Sequence, residues 1–350
     1  MLQGRNHPHL ILSVDYEVFG NGLGSVKSCV LDPADQMMHI CENHAAPLTF
    51  FVEALEFIVM EGIEETRSHE RSVVEQLQGA VLRGHDAQLH LHPQFEEAKW
   101  EKGRWKTSSQ WRIGDLECDA CFKVIQAGKQ WLEGKIQETT KEYRCLVFRA
   151  GGWCIQPSEN VVQALLKLGF LVDSTIAPGF RNAARGEWSD FRSVPEKAFW
   201  HINGDVCLET PSGPWEVPIV TGRISPLRHL HALRANRFSG DGGLACGCVG
   251  SYLGPDGGRG RLRGQVEKLM RLGHVMLDFS TMASEVLIDV TRQWIDRYGD
   301  KSQALPLVAI AHTKNFTPAS EQHLADYLAW AQDQGIQLST YGQWLDSIDE

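Results

Sequence analysis

Two histidines placed two residues apart could bind a metal ion. His90 and His92 end an apolar, strand-like run that Pro93 terminates. In an extended strand, residues two apart point to the same face, so both imidazoles can reach one side of a sheet. Histidine is the commonest metal-binding side chain. The spacing therefore predicts a metal site, although two histidines on a half-exposed strand would give the same pattern.

Polar side chains also follow the other strand-like runs of the chain. They are Asp15 and Glu17 after the first run, Arg149 and Asp173 in the middle of the chain, and His312 near its end. Barrel enzymes assemble their active sites from residues at the carboxyl ends of several strands. Taken singly, each side chain has an ordinary explanation, such as a surface cation, a turn cap or a core histidine. Together they predict one composite site.

The elements that would position these residues alternate between short apolar strands and amphipathic helices. This order favours a parallel sheet with crossover helices. We expect an α/β fold, a distorted (β/α) barrel of seven or eight parallel strands. An open doubly wound sheet competes, but the first strand lacks the glycine-rich fingerprint of dinucleotide-binding folds. We expect a single domain over residues 1–350 with an irregular insertion around 178–260, whose glycine-rich part, 237–260, is predicted to be a mobile loop over the site.

Composition excludes several classes of protein. The chain has 350 residues and a formal net charge of -10. This charge argues against a general nucleic-acid binder, which needs a basic surface, and gives no support for binding to an anionic membrane. No apolar stretch is long enough for a secretion signal or a membrane span. We therefore expect a cytoplasmic protein acting on a small molecule or a carbohydrate; its oligomeric state stays open.

Four stretches of the sequence resemble motifs of the polysaccharide deacetylases, the NodB homology family of carbohydrate esterase family four. The stretches are GHD at 84–86 leading to His90 and His92, FRAGGW at 148–153, VDST at 172–175 and IAH at 310–312. The resemblance extends over roughly residues 10 to 340, and FRAGGW is its most specific match. Two features depart from the family pattern: Tyr16 stands where a second aspartate is usual, and the histidines are two residues apart instead of four. Both suggest a divergent, cytoplasmic branch.

The resemblance implies a role for each site residue. Asp15 would be the catalytic base, Arg149 would hold that base, and His312 would be the acid. Asp173 would orient His312. His90 and His92 would bind a divalent metal. We also expect Trp153 and Tyr16, which lie beside strand ends, to contact substrate.

The third metal ligand remains open from the sequence. Asp15 and Glu17 share a face of a straight strand, so Glu17 could replace the missing aspartate. The reverse assignment, with Asp15 on the metal and Glu17 as the base, is equally compatible with the sequence. Two imidazoles and a carboxylate suit zinc, and cobalt, manganese or nickel would also fit.

The resulting function is a metal-dependent hydrolase that removes an N- or O-acyl group from a carbohydrate, with surface-polysaccharide metabolism as a possible setting. One alternative is a hydrolase of a non-peptide C–N bond in a small non-sugar amide. A second alternative is an inactive binding module of the same fold, which the Tyr16 departure motivates.

Overall fold

The computed structural model describes residues 8–18, 24–183, 186–225, 273–299 and 304–349. The glycine-rich 237–260 segment lies outside these ranges. The described helices are α1 Asp32–Asn43, α2 Ala54–Gly62, α3 Arg67–Leu82, α4 Cys118–Ile136, α5 Glu159–Lys167, α6 Ser284–Tyr298, α7 Pro318–Asp333 and α8 Tyr341–Asp349. The described strands are β1 His9–Tyr16, β2 Leu48–Glu53, β3 Asp86–Leu91, β4 Lys99–Glu101, β5 Arg104–Lys106, β6 Val147–Ala150, β7 Val172–Asp173, β8 Arg181–Asn182, β9 Ser189–Asp190, β10 Trp200–His201, β11 Trp215–Glu216, β12 Thr221–Arg223, β13 His274–Met276, β14 Pro306–His312 and β15 Gln337–Leu338.

A curled, mostly parallel sheet forms the centre of the molecule. Its strands run in the order β10-β11-β7-β6-β3-β2-β1-β14, and every neighbouring pair is parallel except β10 with β11. The chain after β11 then reaches the other edge, where Ile219 forms a parallel bridge with Val308 of β14. The predicted (β/α) barrel is thereby confirmed. At this edge of β14, isolated bridges replace the continuous strand pairing found between the other strands.

Side-chain alternation along β1 separates two cores. Leu12, Val14 and Tyr16 face the layer between sheet and helices. Ile11 points the other way, into an inner cluster with Phe51 and Val308. All residues of β1 are buried, which explains why the strand appears as an almost continuous apolar run. Alternation places Asp15 and Ile11 on the same, inward face.

Two described helices were not predicted from the sequence. Helix α2 follows β2 directly, with the Glu53 side chain accepting a hydrogen bond from the Leu55 amide, and separates β2 from α3. Helix α8 closes the chain, and its Tyr341 packs edge-on against Phe51 of the inner cluster, with ring centroids 5.8 Å apart. Apolar periodicity is weak evidence in helices as short as these.

The expected irregular insertion contains ordered elements in its described part. The apolar residues at 206–209 and 215–220 predict two short strands that could pair with one another. The second prediction is confirmed by β11, but its antiparallel partner is β10 at Trp200–His201. The Val206 carbonyl instead accepts a hydrogen bond from the Trp200 indole, so the first strand prediction is wrong. Whether the whole chain is one domain stays a prediction.

None of the described helices combines the length and the apolar character needed to cross a membrane. The cytoplasmic location inferred from the sequence stays a prediction.

Candidate active site

A buried ion pair joins the ends of β1 and β6. Arg149 donates from Nη1 to Oδ1 of Asp15 at 2.7 Å, from Nη2 to the Ser13 hydroxyl at 2.9 Å and from Nε to the Ser174 carbonyl at 2.9 Å. The guanidinium also lies 3.9 Å from the Phe51 ring centroid. Burial disfavours a charged Asp15, but Arg149 and the nearby imidazoles hold its pKa below the ordinary value. Asp15 is therefore an ionised carboxylate whose orientation is fixed.

The second oxygen of Asp15 faces His312. The register between β1 and β14 pairs the two residues directly, and His312 Nε2 lies 3.4 Å from Asp15 Oδ2. Burial lowers the pKa of His312, and the Asp15 carboxylate opposes that shift. The Trp153 ring stands edge-on to His312, with centroids 6.1 Å apart. A carboxylate and an imidazole thus face one another, beside an aromatic side chain.

Glu17, His90 and His92 form an adjacent cluster, as the sequence predicted. Glu17 Oε2 lies 3.5 Å from His90 Nε2 and 3.1 Å from His92 Nδ1. His92 Nδ1 also donates to Glu53 Oε2 at 2.7 Å. Burial works against a charged His92, but the carboxylates of Glu17 and Glu53 outweigh it and raise its pKa to about 9. Each of these four residues offers a ligand atom, and all four atoms lie within 4.8 Å of one another.

The donor atoms of this cluster suit a divalent metal. His90 Nδ1 is 3.0 Å from the Arg149 carbonyl; donating to that carbonyl, a neutral ring presents Nε2 as an acceptor. Nε2 and Glu17 Oε2 are both buried and lack hydrogen-bond partners. A cation could bind to these two facing atoms if His92 Nδ1, 3.1 Å from the same Glu17 oxygen, gives up its proton. A histidine anchored by its other nitrogen, as His90 is, is typical of metal sites. Glu17 lies in this cluster and Asp15 in the ion pair, but Asp15, Glu17 and His312 form a second group whose possible ligand atoms lie within 4.8 Å of one another. The assignment of Glu17 to the metal and Asp15 to the base stays a prediction.

Lys314 adds a cation to the same cluster. Its ammonium donates to Glu17 Oε1 at 2.5 Å and to the Val18 carbonyl at 3.1 Å, and the residue is only 2% exposed. Burial would raise the pKa of Glu17, but Lys314 and His92 hold it well below the ordinary value. Glu17 is therefore ionised and forms an ion pair with Lys314.

Two of the expected site residues lie elsewhere. Tyr16 faces the helices and is fully buried; its ring packs against Phe50 and Phe57, and its hydroxyl donates to Gln76. The expectation that Tyr16 contacts substrate is wrong, because alternation along β1 sends it away from Asp15 and Glu17.

Asp173 does not orient His312. Its carboxylate accepts a hydrogen bond from Thr175 at 2.7 Å and interacts with the buried carboxyl of Glu216. Burial raises the pKa of both acids, and their mutual repulsion raises that of Glu216 further. Val172, the preceding residue, belongs to the inner cluster, so Asp173 points out of the barrel and our expectation for it is wrong. Asp278 instead contributes to the electrostatics around His312.

Sequence reasoning missed three residues of the site, Glu53, Lys314 and Asp278. Glu53 ends β2, so a strand-end search that included the second strand would have found it. Lys314 lies two residues past β14 in a short helical turn. Asp278 lies near the site because it forms a β-bridge with Ile310 of β14. No local sequence pattern predicts this long-range contact.

Comparisons with known proteins support the fold. No protein-family model matches the sequence, and no curated protein matches it. A Mycobacterium smegmatis protein assigned as a polysaccharide deacetylase aligns over 100% of this chain and 93% of its own, with a TM-score of 0.54 and 12% identity. Puue allantoinase aligns over 99% and 91%, with a TM-score of 0.50 and 10% identity. A 4-alpha-glucanotransferase from Thermococcus litoralis aligns over 97% and 40%, with a TM-score of 0.50 and 12% identity. The chain therefore shares the (β/α) barrel fold of these proteins, as its sequence predicted.

Proposed function

We propose that this protein is a hydrolase that removes an acetyl group from a carbohydrate. The observation that carries the proposal is Asp15, which Arg149 holds on one oxygen while His312 faces the other. Hydrolysis of an amide or ester needs a general base and a general acid close to the same reacting bond, and Asp15 Oδ2 and His312 Nε2 lie 3.4 Å apart. The fold similarity to a protein assigned as a polysaccharide deacetylase agrees with it.

The reaction follows from the charge states of these groups. Asp15 is ionised and takes a proton from water at Oδ2 while the water oxygen bonds to the acyl carbon. Arg149 stays on Oδ1 and keeps the carboxylate in orientation through its charge-assisted hydrogen bond. The bond from the acyl carbon to nitrogen or oxygen breaks. His312 Nε2, 3.4 Å from Asp15 Oδ2, receives the proton that Asp15 took from water and passes it to the leaving group.

A divalent metal would be held by Glu17, His90 and His92, with Glu53 in reach. When bound, such an ion polarises an acyl carbonyl and acidifies water. Imidazole and carboxylate donors favour zinc, with cobalt, manganese or nickel as substitutes. Bound metal in the purified protein, lost in His90→Ala and His92→Ala, would support this part of the proposal.

The carbohydrate assignment rests on aromatic side chains near the acid. Trp153 lies against His312. A cavity of about 370 Å³ is lined by Trp111 and Trp188, together with Arg112 and Glu187. It adjoins the turn that carries Trp153, because a Cβ on Gly152 would lie 3.6 Å from the Glu187 carboxylate. Indole faces next to charged and hydrogen-bonding groups suit the apolar faces and hydroxyls of a sugar.

The test is release of acetate from a panel of N- and O-acetylated mono- and oligosaccharides. We expect turnover by the wild type and a loss of roughly 10²-fold or more in Asp15→Asn, since general base groups contribute about 10²–10⁴-fold. Trp188→Ala should raise KM for oligosaccharides while leaving a small acetyl ester unaffected. No acetate release from any member of the panel would contradict the carbohydrate assignment.

A second candidate is a small non-sugar amide, supported by the similarity in fold to an allantoinase. The same base and acid would serve both reactions. Turnover of small amides without any release of acetate from sugars, and insensitivity of that turnover to Trp188→Ala, would favour this candidate.

A further inference from the structure

Every buried carboxylate at the proposed site has a positively polarised partner from the protein itself. Asp15 Oδ1 accepts from Arg149 at 2.7 Å. Glu17 Oε1 accepts from Lys314 at 2.5 Å. Glu53 Oε2 accepts from His92 at 2.7 Å. Each of these three carboxylates therefore has a favourable contact with the protein even when no metal ion is bound.

Lys314 differs from the other two partners because its charge lies on the carboxylate that would bind the metal. Glu17 offers Oε1 to the ammonium, whereas Oε2 faces His90 and His92. Both Lys314 and Glu17 are almost completely buried, at 2% and 3% exposure, so water screens their interaction weakly. A divalent ion at Oε2 would therefore meet a carboxylate that is already neutralised and a fixed positive charge nearby.

We propose that the buried ammonium of Lys314 partly replaces the positive charge of a metal ion. It stabilises the folded site when no metal is bound, and it lowers the affinity of the site for divalent ions. The proposal rests on the metal-assisted form of the proposed function. It names Lys314 as the residue that sets metal affinity through Glu17, without contact with the reacting atoms. It also accounts for a buried lysine among groups that would otherwise form an ordinary carboxylate–histidine metal site.

The experiment compares Zn²⁺ binding by the wild type, Lys314→Met, Lys314→Gln and Lys314→Arg at one fixed pH. Affinity is measured by competition with a chromophoric chelator, and melting temperature is measured in EDTA and in excess Zn²⁺. The glutamine variant retains a hydrogen-bond donor for Glu17. It therefore provides a second neutral variant in case the methionine variant misfolds. Lys129→Met is the matched control, because Lys129 is also mostly shielded, at 14% side-chain exposure, and ion-paired, but on α4 with Glu133.

We expect both neutral variants to bind Zn²⁺ roughly 10–100-fold more tightly than the wild type, the size of effect that neighbours of metal ligands usually have. In EDTA they should melt below the wild type, and Zn²⁺ should restore them, since a ligand that binds only the folded state stabilises it. Lys314→Arg and Lys129→Met should bind like the wild type, and adding Glu17→Gln to Lys314→Met should abolish the gain.

Equal or weaker binding by the neutral variants would overturn the proposal. So would undetectable binding by every variant, because Lys314 would then not be what limits metal uptake. Acetate release by the wild type and its loss in Asp15→Asn are measured in a separate assay, so failure of the proposed hydrolase activity can be distinguished from failure of the role proposed for Lys314.

Discussion

The position of Asp15 depends on residues from distant parts of the chain. Arg149 fixes one oxygen and His312 faces the other, and β1 lies next to β14 in the sheet. Both partners were predicted from their place at strand ends and from the family resemblance. The same reasoning failed for Tyr16 and Asp173, because ending a strand does not say which face a side chain takes. Side-chain alternation, counted from a known inward residue such as Asp15, would have corrected Tyr16.

Glu56 extends the acidic groups beyond the proposed metal cluster. It is fully buried at the start of α2 and accepts a hydrogen bond from the Trp105 indole at 3.0 Å, while its second oxygen has no hydrogen-bond partner. Burial, reinforced by repulsion from Glu53, raises its pKa to about 8. Glu56 is therefore mostly protonated at neutral pH.

Replacing Glu56 with glutamine should change how stability depends on pH. The folded-state pKa lies above the unfolded one, so the stability that Glu56 contributes is complete below about pH 4.5 and is lost as pH rises towards 8. Glu56→Gln cannot ionise, so over this window it should gain on the order of a few kcal/mol relative to the wild type. Urea unfolding across pH 4–9 in EDTA measures the difference, and parallel curves would contradict the assignment.

At the level of elements, the turn after β6 packs against His92 of the proposed metal cluster. A Cβ on Gly151 would lie 2.5 Å from the His92 ring and 2.6 Å from the Leu91 carbonyl. Only a glycine permits this close approach. The glycines of FRAGGW were predicted as part of a family motif. The physical reason for Gly151, its close contact with His92 just past the neighbouring strand β3, is visible only in the structure.

Gly151→Ala should displace His92 without removing any ligand. We expect metal affinity to fall by roughly 10–100-fold, as for other changes behind a metal ligand, with a parallel loss of activity. Gly134→Ala is the control, since a Cβ at Gly134 of α4 meets nothing within 4 Å and alanine favours helix. Unchanged metal binding in Gly151→Ala would show that His92 is not positioned by this contact.

At the level of the whole molecule, the residues of the proposed active site and the residues of the inner cluster occupy different parts of the barrel. The site residues lie at or just past the carboxyl ends of β1, β2, β3, β6 and β14. The inner cluster below them is covered by α8, whose Trp344 donates to the Ala304 carbonyl at 3.0 Å and is fully buried. Strand–helix alternation predicted the barrel. It could not predict the contacts of Ile219 and Asp278 with β14, because isolated long-range bridges produce no periodic pattern in the sequence.

Trp344→Ala should therefore destabilise the protein by about 3–5 kcal/mol, the range for removing a buried aromatic side chain. Below its lowered melting temperature, the variant should retain the turnover number of the wild type, because α8 packs on the inner cluster and not on Asp15 or His312. Chemical unfolding and steady-state kinetics at low temperature measure the two effects. A large loss of turnover in the folded variant would refute this separation.

The most direct test of the account is the effect of His312→Ala on two substrates, an acetylated amide and an activated acetyl ester. We expect a loss of about 10²–10⁴-fold on the amide and a much smaller loss on the ester, whose leaving group needs little protonation. Metal content should not change, and His39→Ala, at an exposed position of α1, should behave like the wild type. Equal proportional losses on both substrates, or loss of metal from the variant, would contradict His312 as the acid.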